Sequence, residues 1–341
     1  LVAIGDSVRL TGEVSEYFGL TQLSVAPAGV EILSEALAPV EPTTFAADPA
    51  SLAGAEALES MLLLPGDHTF TVTDTYNTNR YGEVGLVIGD HPLWQPGEIM
   101  SPGPEATELY NSQMAGVILL DDAKTTNFTS TSGAQQPVSY ISNDEPIRVG
   151  AWVNFSEPVV LHYGFDQWRL NPTTPWESSA TDGVDFENTR TASPEDVGGD
   201  VTVGSFNVLN YFTTLGSQTP GCTAYTDIDG DGTNVRGGCD PRGAWDAEDL
   251  ARQTEKIVAA IQGIDTSVLG LTEIENSARL GEPADEATAY LVARLNEAAG
   301  HDKWAYAPTA DAMAEIGAGA ADQDVIANAI IFQPAEVNLV D

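Results

Sequence analysis

Apolar and polar side chains alternate with the two-residue period of half-buried strands between residues 7 and 34: Val8 and Leu10, then Val14, then Leu20 and Leu23 beyond a turn at Phe18-Gly19, then Val30 and Ile32. This pattern predicts three short antiparallel strands. The stretch 37–58 holds Pro39, Pro42 and Pro49 among small residues and reads as a connector that leads into a short helix at 53–58. From Leu62 to Leu170 the strand candidates are 69–74, 83–88, 116–120, 150–155, 159–164 and 168–170, separated by Gly, Pro, Asn and Asp clusters with no helical period between them. Short strands with regular turn signals predict a small barrel or sandwich. Residues 171–199 are polar, Pro-containing and aperiodic, as in a linker.

After Asp200 the period changes. A buried strand is predicted at 201–209 and an amphipathic helix at 246–264, with Leu250, Thr254, Ile257, Val258 and Ile261 on one face and Asp246 as N-cap. A second buried strand follows at 268–272, a second helix at 284–299, and further strands at 304–307 and 325–332. Strands alternating with helices predict an α/β layer architecture. The expected division is a β segment with its connector at 1–44, an all-β domain at 45–172, a linker at 173–199 and an α/β domain at 200–341.

Charge changes this picture more than length does. The 341 residues carry 13 Lys and Arg against 51 Asp and Glu, a net charge of −38. Such a surface repels nucleic acid and anionic membrane at low salt, so a polyanionic partner approaches only with metal ions or in salty solvent. A saline habitat is the simplest setting for that composition. No window approaches the roughly 20 apolar residues of a membrane span, so a soluble chain is expected. Cys222 and Cys239 are the only cysteines, and two so close in sequence predict one disulfide and export to an oxidising compartment. Asn127-Phe-Thr129 and Asn154-Phe-Ser156 fit the glycosylation sequon. The chain opens with Leu1-Val-Ala-Ile-Gly-Asp and no basic-then-apolar leader, which predicts a processed or truncated N-terminus.

Two polar residues stand at the ends of predicted strands: Asn207 in the segment 204–210 and Glu273 in the segment 269–276. An acid at the end of a hydrophobic strand is placed to hold a hard divalent cation, because Mg²⁺ takes one or two carboxylates and leaves positions for phosphate oxygens. Taken singly, each is a weak signal, and a lone Glu after a strand is more often an ordinary helix-start or surface residue.

Together, Ser-Phe-Asn-Val-Leu-Asn-Tyr-Phe-Thr-Thr at 205–214, Arg-Gln-Thr-Glu-Lys-Ile-Val-Ala-Ala-Ile at 252–261 and Leu-Gly-Leu-Thr-Glu-Ile-Glu-Asn at 269–276 closely resemble the start of the catalytic domain in the endonuclease/exonuclease/phosphatase (DNase I-like) superfamily. The branch the chain is similar to is that of the large secreted bacterial nucleases of the ExeM/NucH type. Upstream, the segments 14–23, 76–84 and 162–172 resemble the OB-like β region that precedes the nuclease domain in that branch.

The resemblance implies a multidomain protein: an N-terminal all-β OB-like region, then the first half of a DNase I-like α/β two-layer sandwich. It implies that Glu273 ligates Mg²⁺ or Mn²⁺ and that Asn207 positions metal and phosphate, with Asn210, Glu275 and Asn276 as neighbours of the site. It implies a nucleic acid substrate, DNA first. A His near the scissile phosphate, a Gly-Asp-x-Asn motif and an Asp-His pair would follow Asp341, so these residues are expected to show little activity alone and to need a continuation or a second copy to cover the sheet. The segment 326–334 lacks the basic residues the family often places there. His68, His91, His162 and His301 read as ordinary satisfied histidines.

One motif stands apart. Asp227, Asp229 and Asp231 lie in Thr226-Asp-Ile-Asp-Gly-Asp-Gly-Thr-Asn234, a partial calcium-loop pattern whose twelfth position is Gly238, with Asp240 as the nearest acid. A structural Ca²⁺ site and an acidic turn pinned by the disulfide both fit. For the β region, substrate positioning by Tyr76, Tyr81, Trp94 and Trp168 and a purely architectural role both stand. The functional expectation is a secreted, metal-dependent phosphodiesterase acting on DNA. The alternatives are a phosphatase or a nucleotide or lipid phosphodiesterase of the same superfamily, and a non-catalytic extracellular matrix protein with an inert nuclease-like half.

Overall fold

Alternation in the first 34 residues produces two separate ladders, where the pattern predicts three strands. A computed structural model describes residues 2–66, 68–139, 142, 146–177, 181–227, 229–309 and 323–340. Strands β1 (Val8–Leu10) and β4 (Val30–Ile32) pair antiparallel, and β2 (Glu13–Tyr17) and β3 (Leu20–Ser24) form a hairpin. The hairpin turn places Phe18 and Gly19 at φ 50° and 81°, the left-handed pair that matches the twist of a two-residue loop. A single 3-10 turn at Pro27–Gly29 returns β4 to β1, with Thr11 N–H donating to the Gly29 carbonyl at 2.8 Å. That return splits the third predicted strand from its neighbour.

The chain divides into two units, Leu1–Arg190 and Thr191–Asp341. The first is built on a nine-stranded mixed sheet. Its strands are β5 (Thr43–Thr44), β6 (Leu62–Leu64), β7 (Phe70–Asp74), β8 (Glu83–Ile88), β9 (Ile118–Asp121), β10 (Trp152–Phe155), β11 (Val159–Gly164), β12 (Gln167–Pro172) and β13 (Val184–Phe186). They lie in the order β13-β10-β7-β8-β9-β12-β11-β6-β5, parallel at β9–β12 and β5–β6 and antiparallel elsewhere. Every second residue points into one core: Phe70 and Val72, Val84 and Leu86, Ile118 and Leu120, Val153 and Phe155, Leu161, Leu170. Trp168, one of the four aromatics for which the sequence leaves both stacking on a ligand and an architectural role open, packs against this core and meets Tyr163 edge-on at 4.8 Å between ring centroids.

Residues on the opposite face are of another kind. Arg169 on β12 is only 6% exposed and donates to Glu83 of β8 at 2.6 Å and to Asp121 of β9 at 2.7 Å. Burial pushes the Asp121 carboxyl up to about 6 against the pull of Arg169. Removing a charge from water costs several kcal/mol unless partners replace the hydration, and these two carboxylates are the partners that let Arg169 remain buried.

Two departures from the sequence pattern have local causes. The stretch expected to be free of helix contains α1 (Thr78–Tyr81), α2 (Pro96–Ile99) and α3 (Pro104–Met114). Helix α3 opens with Pro104 and Glu105 in its first turn, a favourable start. It buries none of its residues, so it leaves no apolar stripe for a periodicity argument to find. Within the segment expected to be a linker, β13 pairs with β10 (Phe155 with Val184, Val153 with Phe186) and Trp176 is buried.

The second unit is a sheet with helices on one face. Its strands β14 (Val203–Tyr211), β17 (Val268–Glu275), β19 (Ile326–Phe332) and β18 (Ala305–Tyr306) lie in that order, with β14–β17 parallel and the other pairs antiparallel. A hairpin of β15 (Thr223–Thr226) and β16 (Gly232–Gly237) stands outside this sheet. Helices α4 (Ala247–Ile264), α5 (Ser277–Leu280) and α6 (Glu286–Ala299) complete the unit. As predicted, Asp246 caps α4: its side chain accepts from the Glu248 and Asp249 N–H groups, and Asp249 answers with a bond from the Asp246 N–H. Leu250, Ile257 and Ile261 of α4 and Leu291 and Leu295 of α6 bury the sheet residues Val208, Leu269, Leu271, Ile274 and Ile331. Among the described residues no helix is long and apolar enough to cross a membrane.

The Asp121 carboxyl sets a pH dependence whose sign follows from linkage. Its pKa lies above the ordinary 3.8, so between those values the folded chain holds a proton the unfolded chain has released, and stability falls as pH rises through that window. Urea unfolding of the first unit at about pH 4.5 and about pH 7 therefore shows a smaller difference in midpoint for Asp121→Asn than for the wild type. Equal differences would mean that other groups, Asp122 with its burial-raised pKa among them, carry the dependence instead.

Candidate active site

Strands β14 and β17 run in register from Val203–Val268 to Asn207–Thr272 and resume at Tyr211–Ile274. Between those points three residues of β14, Val208 to Asn210, stand opposite the single Glu273. On its other side β17 also breaks register, with Leu271 opposite Ala329 and Ile274 opposite Ala327, so that Thr272 and Glu273 together face Asn328. These are bulges, which re-aim side chains at the cost of local pairing. Three non-glycine residues adopt positive φ there: Leu209 at 49°, Asn210 at 52° and Glu273 at 61°. Such backbone costs of the order of 1–3 kcal/mol per residue and persists only where the surroundings impose it.

The bulges decide which way the polar groups point. Leu271 and Ile274 both lie in the core, as do Val208 and Tyr211. With one extra residue between each pair, Thr272 and Glu273 fall together on the face away from the helices, and so do Leu209 and Asn210. Asn207 shares that face because it is the register partner of Thr272. Strict alternation would have sent Glu273 into the apolar layer beneath α4 and α6.

Several groups hold this geometry. The Asn207 Oδ1 accepts from the Leu209 N–H at 2.7 Å, which leaves its NH₂ as the group to offer a ligand. Gln253 of α4 donates from Nε2 to the Leu209 carbonyl at 3.0 Å. At Gly243 a Cβ would fall 2.5 Å from the Phe212 Cβ and 2.9 Å from the Asn210 carbonyl oxygen, so only glycine lets that loop close on the bulge. Gly243 does not stand out in the sequence, and Gln253 lies in the segment 252–261 that carries the resemblance but has no expected role there, since each acts on backbone that folding alone brings near.

Of the residues the resemblance places near the site, Asn207 and Glu273 come together and two others do something different. Glu275 is 3% exposed. Its carboxylate accepts from the Thr214 N–H at 2.8 Å, the Thr213 hydroxyl at 3.2 Å and the Ser277 hydroxyl at 2.7 Å, tying the segment after β14 to the end of β17. It is a brace. Asn276 donates to the Gln323 side chain at 2.8 Å and to the Asp324 carbonyl at 3.1 Å, anchoring the approach to β19. Asn210 contributes its backbone bend. Among the described residues the Glu273 carboxylate, half-buried, makes no hydrogen bond or ion pair.

The acidic loop forms the tip of the β15–β16 hairpin, and the Cys222–Cys239 disulfide closes its base with Cα atoms 4.9 Å apart. The Asp227 Oδ1 is taken by the N–H groups of Asp229 and Asp231, both at 3.0 Å, the bonding of an Asx turn. Asp240 lies 3.4 Å from Arg279 rather than turning to the loop. Among the described residues no three His, Cys, Asp or Glu side chains are grouped so as to hold a metal ion. Mg²⁺ does not require three, because it keeps several waters and uses one or two carboxylates, and a single unpaired glutamate beside an amide fits that donor set.

The brace and the free carboxylate make opposite predictions. Glu275→Ala strands the Thr214 N–H and two hydroxyls and lowers unfolding free energy by about 2–4 kcal/mol, whereas Glu273→Gln stays within about 0.5 kcal/mol of wild type in chemical denaturation. No family model, curated protein or solved structure matches the chain.

Proposed function

We propose that the second unit carries the cation-binding side of a DNase I-like, metal-dependent phosphodiester hydrolase that acts outside the cell, and that the first unit is an OB-like module attached to it. The observation that supports this most is the paired bulge, which places an unpaired carboxylate and an oriented amide at one level on the helix-free side of the sheet. Positive φ at Leu209, Asn210 and Glu273 together supports this reading, because strained backbone tends to gather at working sites.

In this reading Glu273 would hold Mg²⁺ or Mn²⁺ through its carboxylate, and the bound cation would supply charge stabilisation for phosphodiester hydrolysis. Asn207, its carbonyl fixed by Leu209, directs its NH₂ at a second phosphoryl oxygen and orients the group for attack. Gln253 keeps the bulge from relaxing. The net charge of −38 opposes a polyanionic substrate, so binding improves as salt screens the repulsion, the reverse of the usual counterion-release slope. The disulfide at the hairpin base agrees with an oxidising location.

Two measurements test this. Mn²⁺ titrated into the chain at high ionic strength binds the wild type at least about tenfold more tightly than Glu273→Gln, a difference of about 1.4 kcal/mol; equal affinities contradict the site. Nicking of supercoiled plasmid by protein carrying this chain requires Mg²⁺ or Mn²⁺, falls at least about a hundredfold with Glu273→Ala and rises several-fold as salt increases from low ionic strength. Hydrolysis of 5′-nucleotides or phospholipids in preference to DNA would move the assignment to the phosphatase or lipid phosphodiesterase branch.

A further inference from the structure

We propose that a groove on the second face of the nine-stranded sheet binds a neutral polysaccharide chain. Two hollows of about 430 and 570 Å³ share Asn77, Glu83 and Gln167 in their walls, so they run on as one groove over β8, β9 and β12. Single-site pockets have volumes in this range, and two in line suit a chain of repeating units.

Exposed aromatic side chains stand along the groove, and the Arg169 guanidinium lies 5.5 Å from the ring centre of one of them, Phe165. Trp94 is 58% exposed in the first hollow, where Tyr76 and Tyr110 also lie, and Phe165 is 90% exposed in the second. Exposed aromatic rings set beside planar amides and carboxylates match the alternating apolar and hydroxyl-bearing surfaces of a pyranose. Asn171 is among the residues that line the second hollow, and its Oδ1, shielded from solvent, has no hydrogen-bond partner among the described residues.

Charge selects a neutral ligand over an anionic one. Asp74, Glu83 and Asp121 line the groove against Lys124 and Arg169, and both Glu83 and Asp121 are already spent on Arg169. No surplus of cations remains to meet phosphate, sulfate or uronate, and the whole chain adds −38. This inference stands on the first unit alone and does not depend on the hydrolase reading.

The test uses the whole chain. Cellohexaose, laminarihexaose, maltohexaose, mannohexaose, galactohexaose and xylohexaose are titrated by calorimetry and tryptophan fluorescence, with a single-stranded oligothymidylate as competitor. At least one hexasaccharide is expected to saturate the protein, Trp94→Ala and Phe165→Ala are each expected to weaken it at least tenfold, and the oligothymidylate is expected not to compete. Both side chains are exposed, and circular dichroism confirms that the variants are folded. The proposal is overturned if none of the six binds, if binding survives both substitutions, or if oligothymidylate binds and loses affinity in the same variants, which would give the groove to nucleic acid.

Discussion

A β-strand that keeps its two-residue period can present only one kind of side chain to each face, and a site at the end of an apolar strand must break that rule. In the second unit the neighbouring strands β14 and β17 break it at the same level: β14 inserts Leu209 and Asn210 where β17 inserts Glu273. The consequence is local and specific. Leu271 and Ile274 both remain in the core while the glutamate between them turns away from it. The cost of positive φ at three residues is met by Gln253 on the Leu209 carbonyl, by the glycine at 243 that lets backbone approach, and by the brace from Glu275 to Thr213, Thr214 and Ser277. Each of these contacts secures backbone, and none engages Glu273 itself.

A second constraint is the scarcity of positive charge. With 13 basic residues against 51 acidic ones, each cation placed in the interior has to be matched with care. Arg169 is shared between two strand carboxylates, Lys303 pairs with Asp265 at the end of α4, and Arg279 pairs with Asp240. Isolated surface pairs contribute little. The buried Arg169 group is different, because it is largely removed from water and couples β8, β9 and β12 on a face where apolar packing is sparse. It also offsets part of the carboxylate charge in the groove wall. In the proposed readings the same imbalance opposes a polyanionic substrate and leaves the groove of the first unit to an uncharged ligand.

Much of this architecture was legible in the alternation of side chains. The strands at 83–88 and 159–164 lie where the two-residue period puts them, and the cap and buried face of α4 follow from Asp246 and the stripe from Leu250 to Ile261. What escaped has physical reasons. Helix α3 buries none of its residues fully, β13 is a three-residue edge inside a polar stretch, and the β15–β16 hairpin has short strands rich in Thr and Gly around an acidic tip that reads as loop. At the site, the segments 205–214 and 269–276 pointed to Asn207 and Glu273 only through a resemblance, because left-handed backbone at Glu and Leu has no sequence signal, whereas Asn210 is of a type that tolerates it. The burial of Glu275 was hidden for the opposite reason: acidic side chains are so rarely interior that position alone argues for the surface.

The central claim is that the two bulges bring Asn207 and Glu273 to one cation-binding spot on the helix-free side of the sheet. Paramagnetic broadening of backbone amide resonances by substoichiometric Mn²⁺, recorded at high ionic strength to suppress diffuse binding to the acidic surface, tests it most directly. The account predicts that the amides of residues 207–210 and 272–275 broaden first and together. Broadening that begins at the Asp227–Asp231 tip, or that spreads evenly over the surface while those eight amides stay sharp, would contradict it.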